Sequence, residues 1–314
     1  MANAILDAEH FHNEAAAFAY VEALLWPRGP VCPHCGVDRV GSIKGMTKPS
    51  KKHPEGQERH GLRKCYGCRK TFTVRVGTIF EGSHFPLHLW LQAIHLLTSA
   101  KKGLSTRHIQ RLFNCSMKTA WHLTHRIREI MMPGTSTDLP PMGGQGVTLE
   151  ADETYIGAEA GRKKNRRPVE KAIVMALVER HGHVRSTQIP NVRASTLGKV
   201  LGQTRRGTKL MTDEASGYRD FAANFASHDR VNHKAGEYAR GHIHTNTVEG
   251  FFSILKRGLY GTYQHVSEAH LHRYLNEFDY RYNNRERLGV DDKTRAGLAV
   301  RNAKGRRLTY ERLG

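Results

Sequence analysis

Three carboxylates and one lysine carry the chemistry legible in this chain. Asp152, Asp213 and Glu249 supply hard oxygen donors and Lys256 a point cation, a set that suits two divalent metal ions and a phosphate group. Asp152 lies in V-T-L-E-A-D-E-T-Y-I-G, where Val147, Leu149 and Ala151 alternate with Thr148, Glu150 and Asp152, the period of a strand with one buried face. Glu150 shares the face of Asp152, whereas strand alternation turns Glu153 elsewhere. Asp213 closes a second strand-like run, T-K-L-M-T-D, and 35 residues then separate it from Glu249 in H-T-N-T-V-E-G-F-F-S-I-L-K-R. That segment reads as a helix. Glu249 and Lys256 stand about two turns apart on it, so they share one face and lie roughly 10 Å apart along the axis. Arg257 adds a second cation, and His244 and Asn246 just upstream either orient the helix or meet the phosphate's owner.

The charge identifies that owner as a polyanion. Lys and Arg number 49 against 29 Asp and Glu, a formal net charge of +20, and nucleic acid is the first partner such an excess implies. A membrane is a poor rival, because the longest strongly apolar run, Ala172 to Val178, is far too short to span a bilayer. The first residues show no basic-then-apolar leader pattern, which places the chain in a reducing cytoplasm. Four of the five cysteines form C-x-x-C pairs, Cys32 with Cys35 and Cys65 with Cys68, separated by 29 residues. In that compartment two such knuckles predict one structural Zn²⁺ in a zinc ribbon, a redox pair being the competing reading.

These sites need elements to position them. An alanine-rich helical pattern over about 8–25 precedes the first knuckle, and a strand-like F-T-V-R-V follows the second. The insert between the knuckles is basic and rich in breakers, the composition of a surface loop. Residues 87–131 are helical in pattern, and L-S-T-R-H-I-Q-R-L-F-N-C-S-M-K-T-A-W-H-L-T-H-R-I-R has the layout of a helix-turn-helix with Ser105 and Ser116 as N-caps. Ile109, Leu112 and Phe113 form the core face of its first helix. The second would expose Lys118, Thr119, His122, His125 and Arg126 to a major groove, or else the pair is a packing hairpin. A Pro/Gly/Ser/Thr-rich loop then leads to alternating strands and helices of α/β type. The expected division is 1–80 helix and zinc ribbon, 81–132 helix-turn-helix region, 133–146 linker, 147–290 RNase H-like α/β domain and 291–314 basic tail.

With both halves in view the chain resembles the bacterial insertion-sequence transposases that join an N-terminal zinc ribbon to a DDE-type catalytic domain. The resemblance rests on W-P-R-G-P-V-C-P-H-C-G, C-Y-G-C-R-K-T-F-T-V-R-V-G-T-I-F, A-D-E-T-Y-I-G, T-D-E-A-S-G-Y and H-T-N-T-V-E-G-F-F-S-I-L-K-R-G-L-Y-G-T-Y, spread from about 14 to about 290. It implies a retroviral-integrase-like fold, with Asp152, Asp213 and Glu249 holding two Mg²⁺ or Mn²⁺ ions and Lys256 as the lysine after the glutamate. It further implies double-stranded DNA partners, both terminal inverted repeats and target, a homo-oligomer on DNA, and a nucleoid-associated bacterial protein. A long insert between the knuckles and Ala158, where such proteins often carry glycine, are its departures. A DNA-binding regulator without catalysis and an RNase H-like nuclease are the alternatives.

Overall fold

The computed structural model describes residues 4–49, 54–56, 58–133, 139–157, 171–213, 218, 221, 224–231 and 239–306. Ala158 and the basic G-R-K-K-N-R-R-P turn lie outside them. The chain forms two compact units, 1–131 with 290–314, and 132–289.

In the first unit α1 (Glu14–Leu25) starts later than its alanine pattern, because residues 5–7 and 9–11 form 3₁₀ turns. The Asn13 side chain accepts from the Ala16 amide at 3.1 Å and so satisfies one of the helix's orphan donors. Strands β1 (Val40–Ser42), β2 (Arg63–Cys65) and β3 (Thr71–Phe72) make a small antiparallel sheet in that order. The F-T-V-R-V run is strand only at its start. Val74 is buried in a turn that closes at Gly77, whose φ of +73° favours glycine. Helix α2 (Leu87–Ser99) buries Trp90, Leu91, Ile94 and Leu97. Glu14 caps it from α1, accepting from the amides of Leu87 and His88 at 2.9 and 3.0 Å. Then come α3 (Thr106–Leu112) and α4 (Met117–Met131), whose starts are capped by Ser105 on the His108 amide and Ser116 on the Thr119 amide, at 3.2 and 3.1 Å. Ile109 is buried, but Leu112 is 52% exposed, since α3 ends there after two turns.

The second unit is built on β4 (Thr148–Ile156), β5 (Ala172–Glu179), β6 (Val184–Ile189), α5 (Ala194–Leu201), β7 (Lys209–Thr212), β8 (Ser227–Arg230), a short β9–β10 ribbon (Ala239–Arg240 and Ile243–His244), α6 (Asn246–Gly258) and α7 (Glu268–Asn283). Its mixed sheet runs β6-β5-β4-β7-β8. The hairpins β4–β5 and β5–β6 are antiparallel, and β7 and β8 join parallel to β4. Val174, Ala176 and Val178 meet Phe251, Phe252 and Leu255 of α6 and Leu271, Leu275 and Phe278 of α7 on one face. On the other, Leu149, Ala151, Met175, Leu177 and Leu210 pack with Leu197 of α5 and with Tyr218. β5 is therefore covered on both sides, which explains an unbroken apolar run where alternation is the rule for a half-exposed strand. Asp279 ties α7 to the sheet, accepting from the amide and hydroxyl of Ser186 at 2.8 Å each. Burial pushes its carboxyl up to about 7.

Residues 291–314, read from composition as a basic tail, are in part a structural element. Helix α8 (Asp292–Arg301) packs against α1, α2 and α4 of the first unit and buries Ala296, Ala299 and Val300. Arg295 is buried too, donating to the Thr98 and Val290 carbonyls at 3.3 and 3.2 Å, with Asp292 as its ion-pair partner. Two flanking arginines hide this helix from a composition-based reading, and Asp291, which caps it through the Thr294 amide at 2.7 Å, marks its start.

Candidate metal centres

The four cysteines converge. Cys32 and Cys35 lie on the first knuckle, Cys65 at the end of β2 and Cys68 just beyond it, and their sulfurs lie within 4.8 Å of one another. Cys32 Sγ stands 3.7 Å from Cys68 Sγ, and Cys35 Sγ 3.6 Å from Cys65 Sγ. A tetrahedron with Zn–S bonds of about 2.3 Å has edges of about 3.8 Å, so the donor set fits one zinc ion. The Cys68 amide aims at Cys65 Sγ from 3.4 Å, and such amide hydrogen bonds favour the thiolate there, whereas hydrogen bonding among the sulfurs favours the thiol at Cys35. Phe72 packs against the buried Cys32 and Cys65, while Cys35 is exposed.

The carboxylates are positioned differently, each by its own element. β4 and β7 pair in parallel with Thr148 opposite Lys209, Leu149 opposite Leu210 and Glu150 opposite Met211. The pairing ends at Glu150 and Met211; Asp152 stands two residues further along β4, and Asp213 directly follows β7. Strand alternation puts Asp152 on the sheet face that α6 covers, in phase with Ile156. Glu249 stands in the first turn of α6 and accepts from the Thr245 hydroxyl at 2.8 Å. Among the described residues the three carboxylates do not gather as tightly as the cysteines do. Like charges repel at such range, and Glu249 has a hydroxyl to turn to.

Glu150 seats the α6 helix. It is fully buried and accepts from the amides of Thr247 and Val248 at 2.7 and 3.0 Å and from the Thr247 hydroxyl at 2.9 Å. A carboxylate at a helix N-terminus is favoured by both the orphan amides and the helix dipole. Arg180 neutralises it through Nε at 2.6 Å and spends its remaining donors on the His242 carbonyl, the His244 carbonyl and His244 Nδ1, at 2.7, 2.8 and 3.1 Å. His244 therefore belongs to the scaffold that orients α6. The strand position two residues before Asp152 thus fixes the helix carrying Glu249.

Glu153, on the opposite face, accepts from the hydroxyl of buried Tyr218. Burial, and then the charges of Asp152 and Asp213, push its carboxyl up to about 7 against the pull of that hydrogen bond. Neither Arg180 nor Tyr218 was flagged by spacing. The only sequence signal for either was its place inside or beside a motif, the tyrosine closing T-D-E-A-S-G-Y.

The cations and polar residues expected on DNA fall into three groups. Lys256 is half-buried in the last turn of α6, while Asn246 and Arg257 are exposed on it. Lys118, Thr119 and His122 line a cleft of about 630 Å³ bounded by Ser83, Phe85 and Trp90. Arg126 lines it as well, but its guanidinium donates to the Ile79 and Glu81 carbonyls at 3.0 and 3.2 Å. His125 departs from the expected exposed face. It is 1% exposed and lies 4.1 Å from the Trp121 ring, because α4 packs on α2, α3 and α8 at once and buries more than one stripe.

The chain thus joins a four-cysteine ribbon to a mixed α/β sheet that carries acids. Comparison with known proteins finds transposase families matching both parts. Residues 144–283 match the ISXO2-like transposase domain and residues 12–71 the transposase zinc-ribbon domain. The chain is also 25% identical over 295 residues to an uncharacterized protein in transposable element ISH50 of Halobacterium salinarum, covering 86% of this chain and 91% of that protein. Among the described residues no helix is long and apolar enough to cross a membrane.

Proposed function

We propose that the chain is a DDE-type DNA transposase that cuts DNA at the ends of an insertion sequence and joins the freed ends to target DNA. The observation that supports this reading is the parallel pairing of β4 with β7, with Asp152 on the first and Asp213 directly after the second, together with the Glu150 cap that seats the Glu249 helix on β4. The first acid stands on the central strand, the second just after its parallel neighbour and the third on a helix packed over β4 and β5, an arrangement that supports an RNase H-like, integrase-like catalytic domain over 147–290. Residues 1–80 and 81–132, with linker 133–146, would form the DNA-binding part.

Asp152, Asp213 and Glu249 would hold two Mg²⁺ or Mn²⁺ ions, which when bound supply positive charge to the attacking and leaving oxygens of a phosphodiester. Lys256 holds a non-bridging phosphate oxygen as a point charge, two turns along the helix from Glu249. Glu150, Arg180 and His244 keep α6 in place while the phosphate reacts. Water attacks at the element's end and releases a 3′-hydroxyl, and that hydroxyl attacks the target. Each step makes one P–O bond and breaks one, so no energy source is consumed. The zinc ribbon and the α3–α4 pair, read as a helix-turn-helix with Lys118, Thr119 and His122 toward DNA, would recognise the terminal inverted repeats. Bringing two ends together calls for a homo-oligomer on DNA, in the nucleoid of a bacterial cytoplasm.

The test is a cleavage and strand-transfer assay on the DNA flanking this gene, with Mg²⁺ or Mn²⁺, comparing wild type with Asp152→Ala, Asp213→Ala and Glu249→Ala. Metal-dependent joined products, lost in all three variants, are expected. Cuts without joining would make the protein an RNase H-like nuclease, and binding with neither cuts nor joins would make it a regulator.

A further inference from the structure

The segment R-G-L-Y-G-T-Y after Lys256 belongs to the resemblance, yet no step above uses it. α6 passes directly into a wide π turn, Leu259–Tyr263, which ends at Gln264 with a left-handed φ of +60°. Such turns cost regular hydrogen bonding and recur at functional sites. This one carries Tyr260, a residue 46% exposed. Its hydroxyl is held by the backbone of Gly157, accepting from the amide at 3.2 Å and donating toward the carbonyl at 3.4 Å. Gly157 directly follows β4, the strand of Asp152. The ring is thus anchored at its polar tip to that strand and leaves an apolar face in solvent. Gly261 beside it has nothing within 4 Å of where a side chain would begin.

Counting 100° per residue, Glu249 and Lys256 fall within about 20° of one another on the exposed arc of α6, and Tyr260 follows in the π turn that continues the helix. Val248, Phe251, Phe252, Leu255 and Leu259 occupy the buried arc. Tyr260 lies about 6 Å beyond Lys256 along the axis, which is one or two nucleotide steps at about 3.4 Å each. Arg257, exposed beside it and tied through Nε to the Ser253 carbonyl at 3.1 Å, gives this stretch the charge a DNA strand requires.

We propose that Tyr260 is a stacking platform for an unpaired DNA base next to the phosphate held by Lys256, and so part of the DNA-end binding site. The inference rests on the transposase reading. A base leaving the duplex needs a flat apolar surface to replace its stacking, and an aromatic ring supplies one whatever the sequence. A ring anchored before the DNA arrives loses little freedom on binding.

The experiment places 2-aminopurine in a duplex of the gene's flanking DNA, at the nucleotides adjoining the terminal phosphate. Fluorescence is read without metal on wild type, Tyr260→Phe, Tyr260→Trp and Tyr260→Ala, and joining with Mn²⁺ is read in parallel. Stacking quenches the probe. Wild type and Tyr260→Trp should quench it, Tyr260→Phe, which loses the Gly157 anchor, less so, and Tyr260→Ala should leave it at least about twofold brighter. Tyr260→Ala should also lower joining on the order of tenfold, the loss of one stacked base. Melting temperatures of the variants establish that each is folded. Equal fluorescence and equal joining in wild type and Tyr260→Ala would overturn the proposal while leaving the transposase reading in place. Absence of joining by wild type would overturn that reading, and the metal-free fluorescence would still decide the role of Tyr260.

Discussion

The two candidate metal sites of this protein are built in opposite ways. The cysteine site is closed, with four sulfurs within 4.8 Å of one another and an aromatic wall at Phe72. The carboxylate site is open, with its acids on β4, after β7 and on α6, and its order comes from groups around it. Glu150 is fully buried and Arg180 half-buried, while Glu249 itself is exposed. A structural ion replaces a hydrophobic core that a small ribbon lacks, so its ligands must surround it. A catalytic centre has to leave positions for substrate, so rigidity is placed in the supporting hydrogen bonds instead.

That contrast should break most visibly at zinc. Cys65→Ser, or strong chelation, is expected to lower the zinc content from one per chain to none and unfold the ribbon, since structural zinc sites contribute on the order of 10 kcal/mol to small folds. Elemental analysis and thermal unfolding followed by circular dichroism check this. Asp152→Asn should do the reverse. It removes one of several crowded negative charges, so the melting temperature stays level or rises, while strand transfer falls on the order of 10³-fold, several kcal/mol of lost charge stabilisation.

Glu150 sharpens the comparison, because its effect should be on stability and activity together. Glu150→Ala leaves Arg180 and two helix amides without their carboxylate and is expected to destabilise the second unit by about 3–5 kcal/mol. Glu150→Gln keeps an acceptor oxygen and should cost less than half of that, as denaturant melts of both variants would register. A smaller effect belongs to Asp279. Its folded carboxyl sits at about 7, above its ordinary 3.8, so the folded state holds a proton that the unfolded chain releases. The stabilisation is fully present below about pH 4 and fades as pH rises through about 7. Asp279→Asn should therefore flatten the fall in melting temperature across that window, a change on the order of a few kcal/mol at most.

The contrast also governs what the sequence could reveal. The cysteine site was legible in full, since all its ligands come as two local C-x-x-C pairs. The three acids stand out in the sequence because Asp152 lies within one alternating run, Asp213 closes another and Glu249 comes early in a helical pattern, and their joint role is what the assay above tests. Their support was not: Glu150 and Thr247 are 97 positions apart, and Arg180 and His244 are 64 apart. Only the tertiary fold brings such pairs together. His125 and α8 failed to show for another reason. Histidine and arginine are read as surface residues, and here His125 and Arg295 are buried where several helices meet, with Arg295 satisfied by main-chain carbonyls.

The most direct test of the central claim is whether the three carboxylates converge on one cation centre. Zinc-loaded protein with Fe²⁺ and ascorbate generates hydroxyl radicals at the bound ion, and the positions of backbone cleavage report what surrounds it. The account predicts cuts near residues 152, 213 and 249 that compete away with Mg²⁺ and vanish together in Asp152→Asn. Diffuse cleavage, or cuts at only one of the three that persist in Asp152→Asn, would contradict it.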